Sequence, residues 1–170
     1  MKKALVVIDM QNDFIDGSLG TPEAQAIVFA VAERVKAAAA DGSKIIFTQD
    51  THHKNYLETA EGKKLPVEHC IKPSHGWALN SALIPYAKDA IVLEKPTFGA
   101  TGLPPHVTDC DEITVVGLCT DICVISNAML LKAFLPEKKI CVDSSCCAGV
   151  TPESHVRALE AMKMCHIEVL

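Results

Sequence analysis

The chain has 170 residues, 49% of them apolar and 22% charged, and its 21 acidic and 16 basic side chains give a net charge of −5. This composition excludes bulk disorder, and an acidic chain without a Lys/Arg cluster disfavours a nucleic-acid or anionic-membrane surface. No apolar run reaches the roughly 20 residues that a membrane-spanning helix requires. At this length we expect a single domain over residues 1–170.

Short apolar runs alternate with helical patterns along the whole chain. The runs are rich in β-branched residues and apolar on both faces, which is typical of strands in a covered parallel sheet. They lie at residues 3–9, 44–49, 90–94, 112–116, 138–143 and 166–170. The intervening patterns predict helices at 22–40, 77–88, 120–135 and 152–164. This alternation predicts an α/β fold with helices on both faces of a parallel sheet.

The first run, MKKALVVID, begins with two lysines, as a signal peptide does. Asp9 interrupts it after five apolar residues and no small-residue cleavage site follows, so we expect a strand and a cytoplasmic protein. In a full-sized cytoplasmic domain the eight cysteines are expected to be reduced thiols. The absence of a CxxC pair disfavours a zinc ribbon or a thioredoxin-like motif.

The predicted strands end in residues that carry chemistry. In open α/β sheets, ligands bind beyond the carboxyl ends of the strands. Asp9, Asp50 and Lys95 follow three of these ends, and the segment 117–123, which contains Cys123, follows a fourth. A carboxylate, a lysine and a cysteine that converge on one crevice would form a nucleophile site with its own proton acceptor.

Cys123 is the candidate nucleophile. With Thr120 as the N-cap, it falls in the first turn of a helix, where the helix dipole and a nearby Lys95 would favour the thiolate. The alternative for Cys123 is a thiol packed beneath the sheet. Asp9 and Lys95 also have structural interpretations. Asp9 could serve only to form a turn, and Lys95 could be a solvated side chain at the end of a strand.

Three segments together resemble the isochorismatase-like cysteine hydrolases, of which the nicotinamidases are an amidase branch. They are VIDMQNDF at 7–14, EKP at 94–96 and GLCTDICV at 117–124. The resemblance extends over essentially the whole chain. It implies a three-layer α/β/α fold whose six-stranded parallel sheet has the order 3-2-1-4-5-6, and it suggests a homo-oligomer, either a dimer or a tetramer.

The resemblance also implies roles for individual residues. Cys123, Asp9 and Lys95 would form a catalytic triad. A non-proline cis peptide is expected within residues 117–119, and the backbone amides of Cys119 and Cys123 would form an oxyanion hole.

Asp50, His52 and His69 resemble the D-x-H…H metal site of the nicotinamidase branch, and Glu61 is a candidate fourth ligand. A carboxylate and two imidazoles with positions left open suit Zn²⁺, or Fe²⁺ or Mn²⁺. Asp50 and His52, two apart in an extended chain, point to the same side, whereas His53 faces the other way. The alternative is a solvated loop whose histidines bind nothing.

The substrate pocket departs from the family pattern. Leu65 stands in the stretch where nicotinamidases carry an aromatic residue, usually Trp, before a Pro, and Thr51 replaces the Trp of the D-W-H motif. Phe14, Leu65 and Phe98 remain as candidate walls, with Trp77 as a further contributor. Core packing is the alternative for Phe98 and Trp77.

These residues lead to the hypothesis of a metal-containing hydrolase that cleaves the C–N bond of a small, nicotinamide-like amide through a thioester on Cys123. Asp9 would take the thiol proton and Lys95 would orient Asp9. An isochorismatase-type vinyl-ether hydrolase is a second hypothesis, disfavoured by Cys123 and the metal-site residues. A non-enzymatic thiol or metal sensor on the same fold is a third.

Overall fold

The computed structural model describes residues 1–170 and contains one parallel sheet of six strands. The strands are β1 (Lys3–Ile8), β2 (Lys44–Asp50), β3 (Ile91–Lys95), β4 (Glu112–Leu118), β5 (Lys139–Ala148) and β6 (Glu168–Val169). Their order is β3-β2-β1-β4-β5-β6, and every neighbouring pair is parallel. The fold class and the strand order expected from the sequence are therefore confirmed.

Six α-helices connect these strands. They are α1 (Asn12–Ile15), α2 (Pro22–Ala40), α3 (Ala60–Lys64), α4 (Ile84–Ala87), α5 (Ile125–Phe134) and α6 (Pro152–Met164). The two longest helices begin with the same local chemistry, a threonine N-cap followed by proline. Thr151 accepts a hydrogen bond from the Ser154 N–H, which satisfies one of the free donors at the start of α6. None of these helices is long and apolar enough to cross a membrane.

The alternation of side chains along the strands divides the core into two halves. In β1, Leu5 and Val7 face α2, while Val6 and Ile8 face α5 and α6. Because both faces of the sheet are covered, the central strands are apolar on both sides, which is the pattern visible in the sequence. All eight cysteines are free, and seven of them are buried or half-buried in these layers.

Of the helix predicted at 77–88, only one turn, α4, is present in the structure. Backbone groups that a helix would use are engaged elsewhere: the Ala78 carbonyl accepts from the Asn12 N–H, and the Asn80 N–H donates to the Met10 carbonyl. Residues 78–80 therefore pair with the segment that follows β1, and the helix begins only beyond them. The predicted connection 50–76 also contains short helical pieces, a 3₁₀ turn at Tyr56–Glu58 and α3.

Gly117 lets β4 approach β1 closely at the end of the sheet. Its φ is +116°, and a Cβ added there would collide with the carbonyl oxygen of Ile8. Gly42, after α2, also has a positive φ, of +77°, but its surroundings are open. The two glycines thus differ in steric enclosure rather than in the sign of their φ angle.

We expect Gly42→Ala to lower the free energy of unfolding by roughly 1–2 kcal/mol, because alanine tolerates a positive φ poorly. Gly117→Ala should lower it several times more. The excess arises because the Ile8 backbone must move to admit the methyl group. Urea denaturation of the two variants measures the difference. Equal losses of stability in the two variants would show that the close approach of β4 to β1 does not hinder a side chain at position 117.

Candidate active site

Asp9, Lys95 and Cys123 meet above the carboxyl ends of the strands. Asp9 follows β1, Lys95 ends β3, and Cys123 lies in the turn after β4. The Lys95 ammonium is 2.6 Å from Asp9 Oδ2 and 3.5 Å from Cys123 Sγ. The Lys95 ammonium therefore lies between the carboxylate of Asp9 and the thiol of Cys123. One candidate nucleophile and one candidate proton acceptor thus contact the same cation.

Burial decides the charge states of these groups. Burial raises the pKa of Asp9, and Lys95 offsets part of that rise. Burial also raises the pKa of Cys123 well above its usual value, and the neighbouring Asp9 raises it further. For Lys95, burial alone would lower the pKa, but the adjacent Asp9, Cys123 and Asp50 outweigh it and keep the ammonium charged.

The expected thiolate is therefore not the resting form of Cys123. The sequence suggested that the helix dipole and Lys95 would favour ionisation, yet desolvation and the carboxylate of Asp9 are stronger. The thiol therefore keeps its proton in the resting site, and the carboxylate of Asp9, which contacts the same Lys95 ammonium, is the candidate base.

Thr48 holds the Asp9 carboxylate in place. Its hydroxyl donates to Asp9 Oδ1 at 2.6 Å and accepts from the Asp9 N–H at 3.2 Å. Asp9 itself has a φ of +46°, a conformation that aspartate tolerates better than most residues. Thr48 was not predicted from the sequence, because its bond to Asp9 joins residues that are 39 positions apart in the chain.

Cys123 sits in a π-helical turn, Thr120–Val124, that precedes α5, so the helix predicted at 120–135 is divided in two. The N-cap is Cys119 rather than Thr120, whose hydroxyl instead contacts His155 Nδ1 at 2.8 Å. The Leu118–Cys119 peptide is cis, as the resemblance implied. The Cys119 N–H makes none of the chain's loop or cap hydrogen bonds, which leaves it free for a ligand.

Asn127 fixes this turn against the loop that follows β3. Its buried amide donates to the Cys123 carbonyl at 2.8 Å and to the Phe98 carbonyl at 3.0 Å, and accepts from the Ala100 N–H at 2.8 Å. One side chain thereby ties the cysteine to a wall of the neighbouring cavity. Sequence analysis missed Asn127 because nothing local distinguishes it from other helix residues.

Four side chains beside Lys95 form a compact donor group. Ligand atoms of Asp50, His52, Glu61 and His69 all lie within 4.8 Å of one another. Asp50 Oδ2 is 3.0 Å from His52 Nε2 and 3.5 Å from His69 Nε2, and Glu61 Oε1 is 3.7 Å and 3.6 Å from the same two nitrogens. Two imidazoles and two carboxylates are a donor set that suits Zn²⁺ and similar divalent metals.

The surroundings orient these donors inward. His69 Nδ1 lies 2.8 Å from the Val67 carbonyl, so it carries the proton there and leaves Nε2 free to bind a cation. The ring of Tyr56 packs against both imidazoles, with centroids 4.7 Å from His52 and 5.0 Å from His69. His53, by contrast, is exposed. The group therefore fits a divalent metal.

A small cavity of about 50 Å³ connects the donor group with Cys123. Phe14, Leu65 and Phe98 line it as predicted candidates, and Leu19 and Ile122 join them. Trp77 is not part of the lining, because its indole N–H donates to the Thr51 hydroxyl at 3.0 Å. A larger groove of about 520 Å³ lies beside the amino ends of β1 and β2 and contains none of the residues of this site.

We expect Lys95→Met to cost about 3–5 kcal/mol of stability at neutral pH, because it leaves Asp9 and Asp50 buried without their cation. Lys72→Met, which breaks an exposed ion pair with Glu94, is the matched control and should cost about 1 kcal/mol or less. Urea denaturation measures both.

The loss in Lys95→Met should shrink as the pH falls from neutral to about pH 5. Without Lys95, the pKa of Asp9 rises further, so the folded variant binds a proton that the unfolded chain lacks. Such a group stabilises the fold at low pH and less as the pH rises. A loss that does not change with pH would contradict this account of the buried charges.

Comparison with known proteins agrees with the fold. Residues 3–170 match the model of the Isochorismatase domain. The nicotinamidase/pyrazinamidase of Mycobacterium tuberculosis is 28% identical over an alignment of 185 residues, gaps included. This alignment covers 99% of this chain and 98% of that protein. The pyrazinamidase/nicotinamidase structure from Streptococcus mutans has a TM-score of 0.89 at 28% identity and covers 99% of this chain and 100% of that one.

A structure of Pyrococcus horikoshii pyrazinamidase in complex with zinc has a TM-score of 0.85, covering 100% of this chain and 99% of that one. At 24% identity this likeness shows the fold alone. The family match, in contrast, extends over nearly the whole sequence. The chain belongs to the isochorismatase domain family.

Proposed function

We propose that this hydrolase cleaves the C–N bond of a small, uncharged amide similar to nicotinamide, through a thioester on Cys123. The observation that carries the proposal is that the Lys95 ammonium contacts both the Asp9 carboxylate and the Cys123 thiol beside an apolar cavity. The names of the relatives from M. tuberculosis and S. mutans support nicotinamide and pyrazinamide as the first substrates to examine.

In the acylation half, Asp9 accepts the thiol proton while Sγ attacks the amide carbon. The developing oxyanion lies near the Cys119 and Cys123 amides, which donate hydrogen bonds to it. Asp9 then returns the proton to the amide nitrogen, the C–N bond breaks, and ammonia leaves. Lys95 stays protonated and stabilises the carboxylate of Asp9 while it is charged.

In the deacylation half, Asp9 takes a proton from water as the oxygen attacks the thioester carbon. The C–S bond breaks, the carboxylic acid leaves, and the proton passes from Asp9 back to sulfur. The apolar walls contributed by Phe14, Leu65 and Phe98 hold the flat part of the substrate and keep bulk water away from the thioester. The small cavity favours compact amides over extended ones.

We also propose that Asp50, His52, Glu61 and His69 hold a divalent metal, with zinc as the first candidate. When bound, such an ion supplies a Lewis acid that can bind a ligand donor or lower the pKa of water. The chain's own contribution is to keep two imidazoles and two carboxylates converging on one point at the edge of the substrate cavity.

Cys123→Ala should abolish ammonia release from nicotinamide and pyrazinamide, because no other thiol contacts the Lys95 ammonium that also holds Asp9. Cys165→Ala, which removes the exposed thiol, is the matched control and should retain full activity. Circular dichroism and metal content are expected to be unchanged in both variants. Undiminished amidase activity in Cys123→Ala would rule out the thioester route, and hydrolysis of isochorismate by that variant would favour the vinyl-ether alternative.

His52→Ala should weaken zinc binding by more than the roughly 10–100-fold that loss of an outer-shell partner causes, because it removes a direct ligand. His53→Ala is the matched control, since this neighbouring imidazole is exposed and is not a member of the group. Competition with a chromophoric chelator measures both affinities. Equal zinc affinities for the two variants would contradict the assignment.

A further inference from the structure

Three polar residues that follow Asp9 have no part in the chemistry proposed above. Gln11, Asn12 and Asp13 belong to the VIDMQNDF segment that singled out this end of β1. Each side chain reaches across to the long connection between β2 and β3. The Asn12 amide, for example, donates to the His75 carbonyl at 2.8 Å. The segment is therefore joined to the part of the chain that supplies the donor group.

Gln11 holds the backbone of Asp50 on both sides. Its side-chain oxygen accepts from the Asp50 N–H at 2.7 Å, and its amide nitrogen donates to the Asp50 carbonyl at 2.9 Å. The same nitrogen donates to the Trp77 carbonyl at 2.8 Å. Gln11 is fully buried, so water does not compete for these bonds. The position of Asp50 at the end of β2 is thus fixed by a residue of another element.

Asp13 holds the residue next to His69. Its Oδ2 accepts a hydrogen bond of 2.7 Å from the Cys70 N–H. Cys70 has a φ of +48°, and its carbonyl accepts from the His52 N–H at 3.0 Å. The Cys70 backbone is therefore held from two sides, by Asp13 and by His52, in a conformation that non-glycine residues seldom adopt.

Gly76 packs against the same carboxylate, that of Asp13. The Gly76 carbonyl accepts from the Asp13 N–H at 3.0 Å, and a Cβ added at Gly76 would collide with the Asp13 side chain. The half-buried carboxylate thus lies between the two ends of the 70–76 stretch, and its Oδ1 accepts a longer hydrogen bond of 3.4 Å from the Ser18 N–H. It is directed at the Cys70 N–H and not at the four-residue donor group.

We propose that Gln11 and Asp13 are positioning residues for the metal site, with Gln11 fixing Asp50 and Asp13 fixing His69 through Cys70. This inference rests on the metal binding included in the proposed function. It assigns the residues that follow Asp9 to metal affinity, whereas Asp9 itself serves the cysteine. One short segment thereby serves both halves of the site.

Asp13→Asn tests the proposal with the least change in shape. An asparagine keeps an acceptor oxygen but loses the charge that strengthens the bond to the Cys70 N–H. We expect zinc affinity, measured by competition with a chromophoric chelator, to fall about 10–100-fold. Asp16→Asn, an exposed aspartate just after α1 that makes no side-chain hydrogen bond, is the matched control and should bind zinc like the wild type.

Gln11→Met is the second variant, because methionine has a similar length and cannot hold Asp50. Thermal melting of the zinc-free proteins reports folding separately from zinc affinity. Weaker zinc binding by both variants, with zinc-free melting temperatures close to that of the wild type, supports the proposal. Wild-type affinity in both folded variants overturns it, as does an equal loss in Asp16→Asn or a wild-type protein that binds no zinc.

The same measurements separate this inference from the proposed function. If the wild type releases ammonia from nicotinamide while Asp13→Asn and Gln11→Met keep full zinc affinity, only the positioning role is wrong. If zinc affinity depends on Asp13 but no small amide is hydrolysed, the amidase proposal fails and the positioning role stands.

Discussion

The buried ammonium of Lys95 is the interaction on which the site depends. It is the only lysine or arginine side chain fully within the protein, and it lies beside Asp9, Asp50 and Cys123. Removing such charges from water costs several kcal/mol per ion unless partners compensate. The sheet supplies the partners: Asp50 and Lys95 are register neighbours in β2 and β3, and Asp9 follows the adjacent β1. Parallel register and strand order are thus what make the charge cluster possible.

Much of this arrangement was predictable because it depends on local patterns and on strand ends. Apolar β-branched runs predicted the strands, and the helical patterns between them predicted α2 and α6. The strand order came from resemblance to a family, since no single-sequence pattern specifies which strands are neighbours. Asp9, Asp50 and Lys95 were identifiable because each stands at the end of a strand, and parallel strands bring such ends to one edge.

The rest depended on long-range contacts that leave no periodic trace. The helix expected at 77–88 is replaced by backbone pairing of residues 78–80 with the segment after β1. The charge of Cys123 was misjudged because burial, which the sequence does not reveal, outweighs the helix dipole and Lys95. Thr48, Asn127 and Tyr56 were overlooked for the same reason, because each acts on groups that are distant in sequence or visible only after folding.

Asp50 belongs to two sites at once. One of its oxygens faces the imidazoles of His52 and His69, and the other is 3.3 Å from the Lys95 ammonium. An ion that draws electron density from this carboxylate therefore weakens its hold on Lys95, which is left more fully to Asp9. Occupancy of the donor group and basicity of Asp9 are in this way electrically linked through a single side chain. An exchange of Asp50 for another residue would therefore alter both properties together.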